Sequence, residues 1–438
     1  MSLKTTRFIL VAGMAAVFGA AVVAWNPAGG YQQATAATDY KQLDKFSQVM
    51  DAVRRSYVEE VTDEKLIEGA LSGMLSNLDP HSTYLNKEMF KQMQVDTRGE
   101  FGGLGIEITA DEGGIRVISP IEDTPADRAG IQAGDLIIKI GSQLAKDIAL
   151  PEAVKLMRGK PGTSVHLTIF RETVMQPIEI KIVRAVIQVK SVKSDLLAPG
   201  YLYLRIAQFQ EKTTEQVKDQ LAELRKRSGG SFHGAVLDLR NNPGGLLDQA
   251  VEVSDLFLND GGIVSTKSRV GRSMSFEAEK GDLLNGTPLV VLINNGSASA
   301  SEIVSGALQD NRRAVLMGTK SFGKGSVQRI VPLNDGTAFK LTTSLYYTPS
   351  GRSIQATGIE PDIEVQQVAI RVEEQSRGIS ISERDLKGHL ENGNGKKGAA
   401  KPSEDEASVK MQERLGKDVQ LQRAFDLLKG LNAIQSKG

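Results

Sequence analysis

Three serines alternate with alanines in Asn294-Asn295-Gly296-Ser297-Ala298-Ser299-Ala300-Ser301-Glu302. The segment follows an apolar run, 288–293, and leads into an amphipathic one, 302–308, so it reads as a strand-to-helix turn. Small residues let the backbone bend sharply there and leave one hydroxyl exposed. The first turn of the helix adds unpaired backbone N–H groups beside it. Downstream, Ser321-Phe322-Gly323-Lys324-Gly325-Ser326-Val327-Gln328 sets a lysine between glycines. A free lysine, with a pKa of about 10.4, is no base at neutral pH. Burial among apolar groups disfavours the ammonium and lowers that value. A lysine in that state could take a proton from the serine and later give it to a leaving amine. The two segments together point to serine–lysine hydrolysis. Residue type alone leaves Ser297, Ser299 and Ser301 open as the nucleophile. Ser301 also suits a helix cap, and Glu302 would complement the helix dipole.

Other chemistries find little support. The four histidines, His81, His166, His233 and His389, stand in unrelated contexts. No Gly-x-Ser-x-Gly or His-Glu-x-x-His pattern accompanies them, so a Ser-His-Asp triad and a zinc site are poor readings. No metal and no cofactor is expected. Cysteine is absent, which excludes disulfides and thiol nucleophiles. Formal net charge is zero and no basic stripe is interleaved with aromatics, which argues against nucleic acid as a partner.

The 438 residues predict about two to four domains, and 40% hydrophobic residues suffice for buried cores. Residues 1–37 read as an export signal or N-terminal anchor: Lys4 and Arg7 precede the apolar run Phe8 to Ala24, and Ala34-Thr35-Ala36 offers small residues for cleavage. Membrane association would then run through the N-terminus. Residues 38–97 show helical spacing, broken by the turn Asp79-Pro80-His81-Ser82. From 98 to 186 come Phe101-Gly102-Gly103-Leu104-Gly105 entering a strand, a Pro125-Ala126 turn, Gly130-Ile131, Gly134-Asp135, and a short helix from Pro151 to Arg158. This order resembles a PDZ domain, which captures a peptide C-terminus by strand addition. Residues 187–370 alternate strands and helices, which predicts a largely parallel layer. Within them lies Asp238-Leu239-Arg240-Asn241-Asn242-Pro243-Gly244-Gly245. Arg240 is either a structural ion-pair partner or a shaper of the site. Residues 371–408 read as a flexible linker and 409–438 as a C-terminal helix for oligomerisation or docking, since its apolar positions have no obvious core to bury against.

The PDZ pattern, the Asn-Asn-Pro-Gly-Gly stretch, the Ser-Ala-Ser-Ala-Ser-Glu stretch and the Phe-Gly-Lys-Gly-Ser-Val-Gln stretch occur in that order. Over roughly residues 40–370 the chain thereby resembles the bacterial carboxyl-terminal processing proteases. The resemblance implies a multidomain α+β and α/β fold: a PDZ domain plus a crotonase-like α/β protease core with N-terminal and C-terminal helical segments. It implies Ser299 as nucleophile, Lys324 as general base and Gln328 as the residue holding the lysine. The oxyanion hole would use the N–H of Ala300 and that of Gly244 or Gly245. In the PDZ domain Gly103, Leu104 and Gly105 would receive a substrate carboxylate, Ile106 and Ile108 would line the added strand, and Arg158 would couple the domain to the core. The implied function is a serine endopeptidase with a Ser/Lys dyad that cleaves exported cell-envelope proteins, selected by their C-terminal tails. The expected setting is periplasmic, as a homo-oligomer, with a lipoprotein adaptor as a candidate partner. A catalytically inactive PDZ chaperone or scaffold is the alternative. A crotonase-type acyl-CoA enzyme fits the export signal and the PDZ pattern less well.

Overall fold

The computed structural model describes residues 40–121, 123–174, 176–367 and 415–435. The expected export segment and linker lie outside them. Residues up to Leu71 and residues from Ser72 onward form two compact units. Helix α1, Tyr40–Ser56, lies in the first, where Arg54 pairs with Asp63. Helix α2, Asp63–Ser76, ends in the second. Among the described residues no helix is long and apolar enough to cross a membrane.

The turn after α2 is built on Asp79, whose Oδ1 accepts the N–H groups of His81 at 2.8 Å and Ser82 at 3.0 Å. It delivers β1, Thr83–Leu85, a strand that helical spacing did not predict. Helix α3, Lys87–Arg98, follows, capped by the Asn86 side chain on the N–H of Met89.

The PDZ domain pairs β2, Glu100–Gly103, with β9, Ala185–Gln188. Its main sheet runs β3 (Ile106–Asp111), β4 (Gly114–Pro120), β5 (Leu136–Ile140), β7 (Ser164–Phe170), β8 (Pro177–Val183), with β6 (Gln143–Leu144) on β5. The short helix α4, Pro125–Arg128, and helix α5, Leu150–Met157, pack on a core that includes Ile115, Ile137, Ala153 and Leu167.

The core sheet has the order β10 (Val192–Ala198), β11 (Tyr201–Ile206), β12 (Gly234–Asp238), β15 (Leu289–Ile293), β16 (Val315–Gly318), β19 (Ile363–Glu364). All neighbours are parallel except β10 with β11. Strand residues alternate between two faces. Leu202, Leu204, Ala235, Leu237, Leu289 and Val291 join one core with α6 (Thr213–Arg227), α7 (Leu247–Asp255) and α8 (Ala300–Asp310). Tyr203, Val236, Val290, Leu292 and Met317 point the other way.

That second face is covered by α9, Val419–Gln435, through Leu421, Ala424, Phe425 and Leu428. The expectation that the terminal helix finds no core is corrected here. The apolar strands are two-sided, and the helix supplies the missing layer. Each leucine so buried contributes roughly 1.5–3 kcal/mol. Its buried stripe is therefore spent within its own subunit, and docking on a partner cannot rest on it.

The strands 326–347 also depart from the expected parallel layer. β17, Ser326–Pro332, and β18, Ala338–Tyr347, form an antiparallel hairpin. Their connection is too short for a parallel crossover. They belong to a second sheet, β1-β18-β13-β14, completed by β13 (Gly262–Ser268) and β14 (Met274–Glu277).

Candidate active site

The strand β15 ends at Ile293 and α8 begins at Ala300, so the serine segment is the turn between them. Within it the three hydroxyls differ. Ser297 Oγ donates to the Leu239 carbonyl at 2.8 Å, and Ser301 Oγ to the Asn242 carbonyl at 2.9 Å. Both serines are 0% exposed. Ser299 is 7% exposed; its Oγ donates to no acceptor among the described residues and closes a capping box with Glu302 at the start of α8. It also holds φ +55° and ψ −111°, a region that side-chain-bearing residues seldom enter. Such strain costs on the order of 1–3 kcal/mol and persists where surroundings impose it. Two of the three serines are thus structural and one is presented.

The surroundings that impose it converge on Glu302, which is 0% exposed. Its Oε2 accepts the N–H of Ser299 at 2.7 Å and that of Lys324 at 2.9 Å. Its Oε1 accepts Ser321 Oγ at 2.6 Å and the N–H of Gly323 at 2.7 Å. One carboxylate therefore ties the serine turn to the lysine loop. The expected dipole role at the start of α8 is only part of its work. Phe322 adds an N–H bond to the Ser297 carbonyl at 3.0 Å. On the loop's far side the Gly325 N–H reaches Gln355 Oε1 at 3.0 Å, and a Cβ on Gly325 would stand 2.3 Å from the Gln355 nitrogen.

Lys324 is half-buried. Burial lowers its pKa from the ordinary lysine value, and the cation of Lys340 on β18 lowers it further; Glu302 and Asp79 oppose both. His81 is held below its usual value by burial and by the Lys324 charge, against Asp79. The turn 79–82 is thus a wall of the site that the sequence reading passed over. Its signal was a histidine inside an aspartate-built turn. Thr342 on β18 locks that wall in place. Its Oγ1 donates to Asp79 Oδ1 at 3.0 Å, and its N–H donates to Ser82 Oγ at 3.1 Å. Gln328 lies in the same group: its Nε2 donates to Ser326 Oγ at 2.8 Å and to Thr342 Oγ1 at 3.4 Å. Among the described residues Lys324 Nζ bonds neither Gln328 nor Ser299 Oγ.

The turn after β12 packs against Ser299. The Asn242 carbonyl accepts the Ala298 N–H at 3.0 Å, and Asn242 Oδ1 takes the Gly244 N–H at 2.9 Å. A Cβ on Gly244, at φ +101°, would lie 2.8 Å from the Ser299 Cβ, so only glycine allows this approach. The N–H groups of Gly245 and Ala300 have no partner among the described residues.

A groove opens on the PDZ domain. Leu104, Gly105, Ile106 and Ile108 line one side, and Val154, Met157 and Arg158 the other. Gly103 is instead paired with Ala185 in the β2–β9 ladder. Leu104, 3% exposed, belongs to the domain core as well. The Arg158 guanidinium lies 4.4 Å over the Phe101 ring and donates to Gln92 Oε1 on α3 at 2.9 Å.

Residues 200–365 match peptidase family S41, residues 102–182 a PDZ domain, and residues 12–89 the activating protease CtpB N-terminal domain. A carboxy-terminal-processing protease of Bartonella bacilliformis is 50% identical over 396 residues, covering 89% of each chain. The carboxy-terminal processing protease CtpA of Bacillus subtilis is 35% identical over 336 residues, 76% of this chain and 71% of that one. Among solved structures, a photosystem II D1 C-terminal processing protease is 29% identical over 75% of this chain and 94% of its own, at a TM-score of 0.44. The chain belongs to the carboxy-terminal processing proteases, serine-type peptidases of family S41 that carry a PDZ domain.

Proposed function

We propose that Ser299 and Lys324 form the catalytic dyad of an endopeptidase that cleaves exported polypeptides, selected by their C-terminal tails. The neutral Lys324 amine takes the Ser299 proton as Oγ attacks the scissile carbonyl. The oxyanion that develops is received by backbone N–H groups, with Ala300 and Gly245 the candidates that no described group already occupies. Lys324 then returns the proton to the leaving amine, and water releases the acyl group from Ser299. The observation that carries this reading is Glu302, whose one oxygen holds the backbone of both dyad residues.

The PDZ groove would receive the substrate tail as an added strand beside Ile106 and Ile108, its carboxylate on the N–H groups at Leu104 and Gly105. Arg158, bonded to α3, is the proposed link by which groove occupancy reaches the core. Location in the bacterial cell envelope, assembly into a homo-oligomer and an adaptor lipoprotein belong to the same proposal. The test compares cleavage of a polypeptide bearing an apolar free C-terminus by the parent, Ser299→Ala, Lys324→Ala and the double variant. Each single change abolishes turnover, and the double is no worse. Cleavage by Ser299→Ala at a substantial fraction of the parent rate removes the dyad. Equal cleavage of the same polypeptide with an amidated C-terminus removes the tail-binding role.

A further inference from the structure

Arg240 stands between β12 and the Asn241–Gly245 turn, and all five of its guanidinium N–H groups are used. Nε and Nη2 donate to the two oxygens of Asp238 at 2.9 and 2.7 Å. Nη1 and Nη2 donate to the two oxygens of Asp418 at 2.8 and 2.7 Å. Nη1 also reaches Gln420 Oε1 at 3.0 Å. Asp238 is 0% exposed and accepts the Tyr203 hydroxyl at 2.8 Å as well. Two paired forks of this kind fix orientation as well as charge. Burial disfavours the guanidinium charge, yet the two carboxylates more than offset that and keep Arg240 cationic.

Asp418 and Gln420 come from the start of α9, some 180 residues away in sequence. Asp418 Oδ1 accepts the Leu421 N–H at 3.1 Å, so it caps the helix while it holds the arginine. Gln420 Nε2 donates to the Val365 carbonyl at 2.7 Å, just past the edge strand β19. On the other side, Arg240 leads directly into Asn241, whose N–H bonds Asn294 Oδ1 at 2.9 Å, and into Asn242, which holds the serine turn.

We infer that α9 is a working part of the active site: Asp418 and Gln420 clamp Arg240, and the clamp sets the Asn241–Gly245 turn against Ser299. Asp418, Gln420 and Arg240 touch no substrate and act as positioning residues. The effect on rate rests on the reading of that turn as part of the oxyanion site. Loss of one oxyanion donor lowers kcat by roughly a hundredfold to a thousandfold. A turn shifted but not lost falls short of that, so a fall of about tenfold to a hundredfold is expected.

The experiment compares full-length Asp418→Asn and the milder Gln420→Ala with a control on the same helix. Leu428→Ala removes a fully buried side chain of α9 and leaves the clamp untouched. Peptide turnover, the melting curve and the rate at which a fluorophosphonate labels Ser299 are measured well below the melting transition. Expected are a fall in kcat of at least tenfold for Asp418→Asn with KM within twofold, slower labelling, a smaller fall for Gln420→Ala, and kcat within twofold of the parent for Leu428→Ala. Both clamp variants retaining the parent kcat, or kcat falling in step with melting temperature across all three, would overturn the inference. If the parent is not labelled at Ser299, the nucleophile assignment fails, while the kcat comparison still decides the clamp. If Asp418→Asn does not fold, Gln420→Ala against Leu428→Ala decides it.

Discussion

Glu302→Gln removes the shared anchor of the serine turn and the lysine loop with almost no change of shape. The carboxylate accepts four hydrogen bonds at 2.6–2.9 Å, two on each oxygen. A carboxamide keeps one acceptor oxygen and turns its NH₂ toward the other two donors. The less costly orientation keeps the oxygen on Ser299 and Lys324, because the Ser321 hydroxyl can accept from the NH₂ and the Gly323 N–H cannot. A buried donor left without an acceptor costs about 1–3 kcal/mol. With Gly323 opposed and the Ser321 donor displaced, the loss is about 2–4 kcal/mol. That is a large share of the roughly 5–15 kcal/mol that holds a domain folded. The variant also removes an anion that raises the Lys324 pKa. With Lys324 as the proposed base, only its neutral amine accepts a proton, so activity rises with pH through that pKa, and lowering it moves the rising limb to lower pH. Denaturant titration and the pH profile of kcat/KM on a short peptide read both effects. The expected signature is lower stability, a maximal rate reduced at least tenfold, and an onset of activity at lower pH. Parent stability together with parent rate, or an onset moved to higher pH, would refute the reasoning.

Lys340→Gln removes a cation that lowers the Lys324 pKa, so its rising limb moves to higher pH in the same assay; an unmoved or acid-shifted limb contradicts the proposed base. Ser299→Gly relieves a positive φ that Ser299→Ala retains, and should exceed it in stability by about 1–2 kcal/mol on denaturant titration. Equal stability would mean that the turn is not strained. Ile108→Glu, at a half-buried groove position, should weaken cleavage of proteins with apolar free tails at least tenfold and leave hydrolysis of a short peptide within about twofold, as compared by kcat/KM. Leu104 is a poorer probe, because a charge there enters the domain core.

The order of elements in the PDZ domain and the strand-to-helix turns of the core were legible because glycine, proline and apolar spacing act locally. The choice among Ser297, Ser299 and Ser301 was not. It depends on which hydroxyls meet carbonyls of the neighbouring turn, and Leu239 and Asn242 lie far away in sequence. Glu302 was readable as a helix-start carboxylate, but not as the anchor of a loop some twenty residues on. Asp79 and His81 gave only a turn signal, since the register of β1 on β18 brings them to the lysine. The apolar stripe of α9 was visible without its partner. The partner had left a trace, however: Val290, Val291, Leu292 and Ile293 are apolar on both faces of one strand, which requires a layer on each side.

The most direct test of the dyad is to let a fluorophosphonate react with the native enzyme and map the modified residue by peptide mass spectrometry, in the parent and in Lys324→Ala. The predicted result is a single adduct on Ser299 in the parent, formed faster as pH rises, and no detectable adduct in Lys324→Ala over the same time. An adduct on Ser297 or Ser301, or labelling of Ser299 at the parent rate without Lys324, would contradict it.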